Sequence, residues 1–332
     1  GGKVSDEATE KRADADAARE EHSGSDEIRA DRSDSEAPRE SDSGSHEARG
    51  HGEKKGDETR GNRSGADEAR RGSRTGPEEK RLQGHWLLAK MGKRVLRPGG
   101  IELTRRVLKA ARPAKEDRIV EFGPGVGRTA EILLAAGPKE YVGVDPNKEG
   151  TQQLLETVSK HGQARLQRAD AKNTGLPDGS ADLVVGEAML TMQSDEDKLA
   201  IMREAFRILA PKGRYAIHEL GFCPDDVPED VVRDVSRALS RTIKVGARPL
   251  TSAGWKRLLE EAGFQVEYTD ANPMMLLEAK RLVADEGFFG ALRFFFNVVR
   301  NKAARERIKA MRGVFRAHKE NINAVGFVAR KP

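Results

Sequence analysis

The 332-residue chain has a single cysteine, Cys223, so it can form neither an internal disulfide nor a multi-cysteine zinc site. Tryptophan and tyrosine are scarce, with two and three residues. No apolar run approaches the ~18 residues that a membrane-spanning helix needs. The first residues are charged and lack an apolar stretch, which excludes a secretory signal, and they are too acidic for an organelle transit peptide. These absences together predict a cytoplasmic chain.

Large apolar side chains are also missing from a whole segment. Residues 1–80 contain only Val4 and Ile28 of that kind and no aromatic residue, against 22 acidic and 16 basic residues. Such a segment cannot offset its ordering entropy and is expected to be a disordered, charged, low-complexity tail. Its loose repeats, such as Asp57-Glu58-Thr59-Arg60 and Asp67-Glu68-Ala69-Arg70, mix the two charge signs too well for a nucleic-acid-binding arm. Removing the tail should leave catalysis intact. The remaining residues, 81–332, carry 43 basic and 32 acidic side chains and form the expected folded domain.

Within that part, strand-like and helix-like segments alternate. Arg118–Phe122, Tyr141–Val144, a segment ending near Asp170, Asp182–Val185, Arg214–His218, Phe264–Tyr268 and Ala324–Ala329 read as seven strands. Helical spacing is read at 101–111, around Ile132–Leu134, near 147–160, after Ser194, and from Thr251 or Ser252 to Gly263. This alternation predicts an α/β, Rossmann-like, doubly wound sheet with helices on both faces. Ligands of such sheets bind at the carboxyl ends of the strands, near the switch in strand order.

The first strand runs into Glu121-Phe-Gly123-Pro-Gly125-Val-Gly127, a glycine-rich turn that opens a helix. Glycines there let the backbone approach a ligand, and the helix start offers free N–H groups. Dinucleotides and S-adenosylmethionine both use such a turn. The dinucleotide pattern fails when read from Gly123, because its last position is Arg128, and passes weakly from Gly125, ending at Ala130. The acids favour the second ligand. Glu121 would repel a pyrophosphate but suits a cationic methionine end. Asp145, ending the second strand, can accept both ribose hydroxyls. Asp170 can accept from an adenine amino group.

Residues 118–269 resemble the class I S-adenosylmethionine-dependent methyltransferases, in particular the ubiquinone- and sterol-type branch that acts on small molecules. The resemblance rests on Glu121 to Gly127, Asp145, Ala169-Asp170-Ala171, Asp182 to Glu187 and Leu209-Ala-Pro-Lys-Gly213. It implies a seven-stranded sheet with an antiparallel last strand and S-adenosylmethionine as cofactor. By that resemblance Glu121, Gly123, Gly125 and Gly127 hold the methionine end, Asp145 the ribose, and Asp170 and Ala171 the adenine. Glu187 and Ala188 would then line the methyl-transfer face. No metal is called for.

Methyl transfer from an activated sulfonium needs positioning and exclusion of water, and a base only for acceptors that must lose a proton. His218 is the candidate base, although a histidine in that place is more often packed at the sheet end with a satisfied hydrogen bond. Met189 and Met192 either border the sulfonium or belong to the core. Arg94 and Arg97 either meet an acidic substrate group or are solvated. The Asn/Asp-Pro-Pro-aromatic motif of amino-nitrogen methylation is absent, its place reading Gly186-Glu187-Ala188-Met189. That counts against DNA and against most RNA targets. A small-molecule acceptor (thiol, hydroxyl, amine or activated carbon) is the leading expectation. Methylation of RNA or protein, and a non-catalytic cofactor-binding module, are the alternatives.

The stretch 81–112 is expected to give N-terminal cap helices, and 271–321 a helical insertion. The insertion holds Phe288, Phe289 and Phe294–Phe296 and then a basic run from Arg300. An apolar lid over the acceptor is the preferred reading. Extra helices packed on the sheet, and a transient membrane contact through 287–300, are the other two.

Overall fold

The computed structural model describes residues 83–94, 96–147 and 152–332. The tail read at 1–80 lies outside the described residues. Five short apolar segments, buried on both faces, build most of the sheet. In chain order the strands are β1 (Arg118–Phe122), β2 (Glu140–Val144), β3 (Ala164–Gln167), β4 (Ala181–Glu187), β5 (Leu209–Phe222), β6 (Leu250–Thr251), β7 (Gln265–Pro273) and β8 (Ile322–Arg330). The sheet order is β3-β2-β1-β4-β5-β8-β7, with β6 paired to the end of β5. Strands β1 to β5 run parallel, and β8 runs antiparallel to both β5 and β7. The chain therefore winds outward from β1 to β3 and then returns to β4, which puts the topological switch between β1 and β4.

The helices are α1 (Gly84–Lys90), α2 (Gly100–Ala111), α3 (Arg128–Ala135), α4 (Gln152–Ser159), α5 (Asp195–Ile208), α6 (Glu229–Ile243), α7 (Ser252–Glu261), α8 (Ala279–Arg300) and α9 (Lys302–Ala317). Local chemistry sets several of their ends. Ser194 accepts from the Asp197 N–H at 3.1 Å, and Asp195, Glu196 and Asp197 crowd the positive end of α5. Thr251 caps α7 in the same way through Gly254.

The structure corrects the sequence reading at several elements. An eighth strand exists because β5 continues past His218 to Phe222 and there pairs with β6, two residues being too short to show a period. The third strand stops at Gln167, and Asp170 lies beyond it in a turn closed on Asn173. Helix α6 falls in a stretch that the sequence reading left unassigned. Of the 81–112 segment, α1 contributes Leu87 and Leu88 to the cap's apolar cluster. Helix α2 instead lies against the sheet, its Leu103, Val107, Leu108 and Ala111 buried with Ile119, Tyr141 and Val328.

The cap is built from α1, α6, α8 and α9 around an apolar cluster of its own, which includes Leu87, Leu88, Leu239, Phe294, Ile308 and Met311. It meets the sheet only where β5 and β8 supply Leu220, Phe222 and Ile322. The 271–321 insertion forms α8 and α9, and its phenylalanines do not share one environment. Phe294 is 4% exposed, whereas Phe288, Phe289, Phe295 and Phe296 are 66%, 82%, 66% and 55% exposed.

Candidate active site

Pairing levels the ends of three strands at the switch point. Phe122 stands beside Val144 on one side and beside Gly186 on the other, so Gly123, Asp145 and the residues after Glu187 leave the sheet together. There the chain lines a cavity of about 340 Å³, within the ~300–1,000 Å³ usual for small-ligand sites. Its floor is Gly123 to Val126, Asp145 to Asn147, Asp170, Ala171 and Glu187 to Met189. Its roof comes from α1, α6, α9 and the residues after β7.

The turn can pass so close to the cavity because its glycines adopt conformations that other residues resist. Gly123 and Gly127 have φ of +62° and +86°, and a side chain on Gly127 would meet Leu154 Cα at 3.2 Å. Gly123 and Gly125 face the cavity, while Gly127 caps α3 and does not line it. Asp145 accepts from the backbone and side chain of Asn147 at Oδ1, both at 2.8 Å. Its Oδ2 has no partner among the described residues, so one oxygen of a cavity-lining carboxylate is left for a ligand's hydroxyls. Asp170 is exposed at the rim beside buried Ala171.

The other two strand-end acids are committed within the protein. Glu121 lies outside the cavity lining, buried, and accepts from the Tyr141 hydroxyl at 2.5 Å. Burial pushes its carboxyl up to about 7, with the Tyr141 bond opposing. The folded state thus keeps this proton between about 4.5 and 7, and the stability it confers is full below about 4.5 and lost as pH rises through 7. Urea unfolding at pH 5 and pH 8 should show Glu121→Gln more stable than the parent at the higher pH only, by on the order of 3 kcal/mol. An equal difference at both pH values would show that Glu121 does not titrate in this window.

Glu187 lines the cavity, but both its oxygens are taken. Oε1 accepts from Thr129 at 2.6 Å and from Arg97 at 3.3 Å, and Oε2 from Thr104 at 2.7 Å with His218 Nδ1 at 2.8 Å. Burial would raise this carboxyl, yet Arg97 and His218 outweigh it and hold it down at about 2. His218 is fully buried and absent from the cavity lining, its Nε2 directed to the Pro98 carbonyl. Both ring nitrogens are engaged by partners inside the protein, and neither faces the cavity. The expectation of a catalytic base at His218 is thereby corrected, and the residue ties the α1–α2 connection to the sheet. Arg97, expected to be solvated or to meet an acidic substrate group, is buried in the same cluster, not solvated, and it lines the cavity. Cys223 is away from the cavity, and burial raises its thiol.

Three features escaped the sequence reading. Glu219 is buried and accepts the backbone N–H groups of Met189, Leu190 and Thr191 at 2.9–3.1 Å, and the Thr191 hydroxyl at 2.8 Å. It fixes the loop after β4, whose Met189 and Met192 both line the cavity. Asp285 of α8 accepts from Ile101 N–H at 3.0 Å, capping α2, and pairs with buried Lys93 at 3.2 Å. His85 and Trp86 of α1 form part of the cavity roof, and burial lowers His85 to about 4, leaving it neutral at physiological pH. The only local signal for these two was an aromatic pair at the start of the cap.

Residues 120–217 match a family model described as a methyltransferase domain. Over 251 residues the chain is 30% identical to an uncharacterized protein of Haemophilus influenzae, covering 75% of this chain and 98% of that one. It is 35% identical over 89 residues to ribosomal RNA small subunit methyltransferase A of Marinobacter nauticus, covering 26% of this chain and 31% of that enzyme. Among solved structures, Haemonchus contortus phosphoethanolamine N-methyltransferase 2, in complex with phosphomonomethylethanolamine and S-adenosylhomocysteine, has a similar fold. That likeness has a TM-score of 0.57 and 19% identity, covering 75% of this chain and 57% of the other.

Proposed function

The chain belongs to the class I S-adenosylmethionine-dependent methyltransferases, and on that premise we propose that it methylates a small, largely apolar acceptor enclosed beneath the helical cap. The observation that carries this reading is the cavity roof. Above the strand ends it is made by Leu239 and Ile243 of α6, Met311 and Phe315 of α9, and Met274 and Leu276 after β7. A wall of aliphatic, thioether and aromatic side chains suits a compact apolar molecule better than a nucleic-acid chain.

Gly123, Gly125, Asp145, Asp170 and Ala171 are the residues proposed to hold the cofactor, which supplies an electrophilic methyl group on a sulfonium. Asp145 would accept from the ribose and Asp170 from the adenine, and Ala171 would pack on the ring. Glu187, held ionised at the cavity lining, adds negative potential beneath the cationic end. Glu219 holds the Met189–Thr191 loop so that the acceptor meets a rigid wall, and the cap excludes water. His85, neutral and on that wall, can orient an acceptor that carries an O–H or N–H by accepting its hydrogen bond, a ring lowered to about 4 being too weak a base to take the proton. His85→Phe should leave cofactor affinity unchanged and slow turnover of hydroxyl and amine acceptors more than that of thiols, whose S–H is a weak donor. Equal slowing across acceptors would mean that His85 only shapes the wall.

The test of the whole reading is calorimetric titration with S-adenosylhomocysteine, followed by transfer of labelled methyl to fractionated cell extract. Roughly micromolar binding or tighter, with label entering the organic-soluble small-molecule fraction, is the expected result. Label in RNA instead would move the acceptor to the class that the ribosomal RNA methyltransferase match represents, and label in protein would equally overturn the small-molecule reading.

A further inference from the structure

Helix α8 breaks at Gly287, where φ is +72°, and the segment from Phe288 to Arg300 then runs as a separate helix about 20 Å long. Its inner face is anchored: Phe294 is buried and the Asn297 side chain donates to the Met91 carbonyl at 2.9 Å. Its outer face carries Phe288, Leu292, Phe295 and Val299 in one stripe at i, i+4, i+7 and i+11, flanked by Phe289 and Phe296, all of them exposed. Water-facing helix surfaces are normally polar, and an apolar patch of this extent marks a binding surface.

The charges beside the stripe identify what it binds. Residues 287–305 contain Arg293, Arg300, Lys302 and Arg305 and not one acidic side chain. The Arg300 guanidinium lies over the Phe296 ring, 5.1 Å from its centre, where apolar stripe meets basic rim. Arg305 donates to the Val299 carbonyl and so sits at the same end. Two other occupants fit less well. The chain's own residues 1–80 offer only Val4 and Ile28 to cover six large apolar groups. A second copy would bring four like charges against four more.

We propose that α8 docks on an anionic lipid bilayer, its aromatic stripe entering the headgroup–acyl boundary and its arginines and lysine meeting lipid phosphates. No helix among the described residues is long and apolar enough to cross a membrane, so the contact is interfacial. This docking does not depend on which acceptor the cavity takes.

The test is flotation of the full chain with vesicles of phosphatidylcholine alone and of phosphatidylcholine containing phosphatidylglycerol. The protein should float with the anionic vesicles and about tenfold less with the neutral ones. Phe289→Ser/Phe295→Ser and Arg293→Glu/Arg300→Glu should each lose about tenfold of the bound fraction. Both variants should retain S-adenosylhomocysteine affinity, which reports an intact fold because none of these residues lines the cavity. Three results overturn the proposal: no flotation with anionic vesicles, flotation indifferent to both variants, or a dimer in buffer that the phenylalanine variant dissociates. Loss of cofactor binding by the parent chain would sink the methyltransferase reading and leave the docking result to stand alone.

Discussion

Asp145→Ala is expected to bind S-adenosylhomocysteine about a hundredfold more weakly than the parent in calorimetric titration, with the melting temperature of the unliganded protein almost unchanged. Two hydroxyl-to-carboxylate hydrogen bonds are at stake, each worth roughly 1.5–3 kcal/mol. The structural loss is small because, among the described residues, the carboxylate bonds only to Asn147, a neighbour in an exposed turn. Asp145→Asn should fall between the two, since one acceptor oxygen survives. An affinity within about threefold of the parent would remove Asp145 from the ribose and force a different placement of the cofactor.

Arg97→Ala should show the opposite pattern, a large loss of stability. It strips the strongest cationic partner from Glu187, whose carboxylate is buried and held at about 2. Leaving one member of a buried pair uncompensated typically costs about 3–5 kcal/mol. The sign with pH follows from the depressed value: in the parent, Glu187 contributes stability above about 4.5 that is lost as pH falls toward 2. Without Arg97 that acid-side loss begins at higher pH. Urea titrations of Arg97→Ala, Glu187→Ala and the double variant test this as a cycle, the double variant recovering much of the loss. Strict additivity would show that the two side chains do not act as a pair.

The two experiments also mark where the sequence ceases to be legible. β1, β2 and the Ser194 cap are written locally, in apolar runs and in a hydroxyl three residues before the N–H it accepts from, and the structure shows them within a residue of their expected bounds. Glu121, Asp145, Asp170 and Glu187 carry one local signature, an acid at or just past a strand end. They meet different fates because their partners come from elsewhere: Tyr141 for one, and for another Arg97, Thr104, Thr129 and His218, drawn from four separate segments. Nothing near Glu187 in the chain announces Arg97, 90 residues earlier, just as nothing near Asp285 announces the α2 terminus it caps. The phenylalanines misled for a simpler reason. Five in nine residues read as one apolar lid over the acceptor, but the helical period turns Phe294 inward and the other four out.

The separateness of the cap's apolar cluster bears on how such a protein can change over generations. Met274, Leu276, Met311 and Phe315 shape the roof of the cavity, and none of them belongs to either cluster that packs the two faces of the sheet. Substitutions there alter the size and shape of the acceptor chamber while Asp145 and the glycine turn stay as they are. A lineage carrying this architecture can therefore drift from one acceptor to another through roof residues alone, and relatives with matching strand ends need share no substrate.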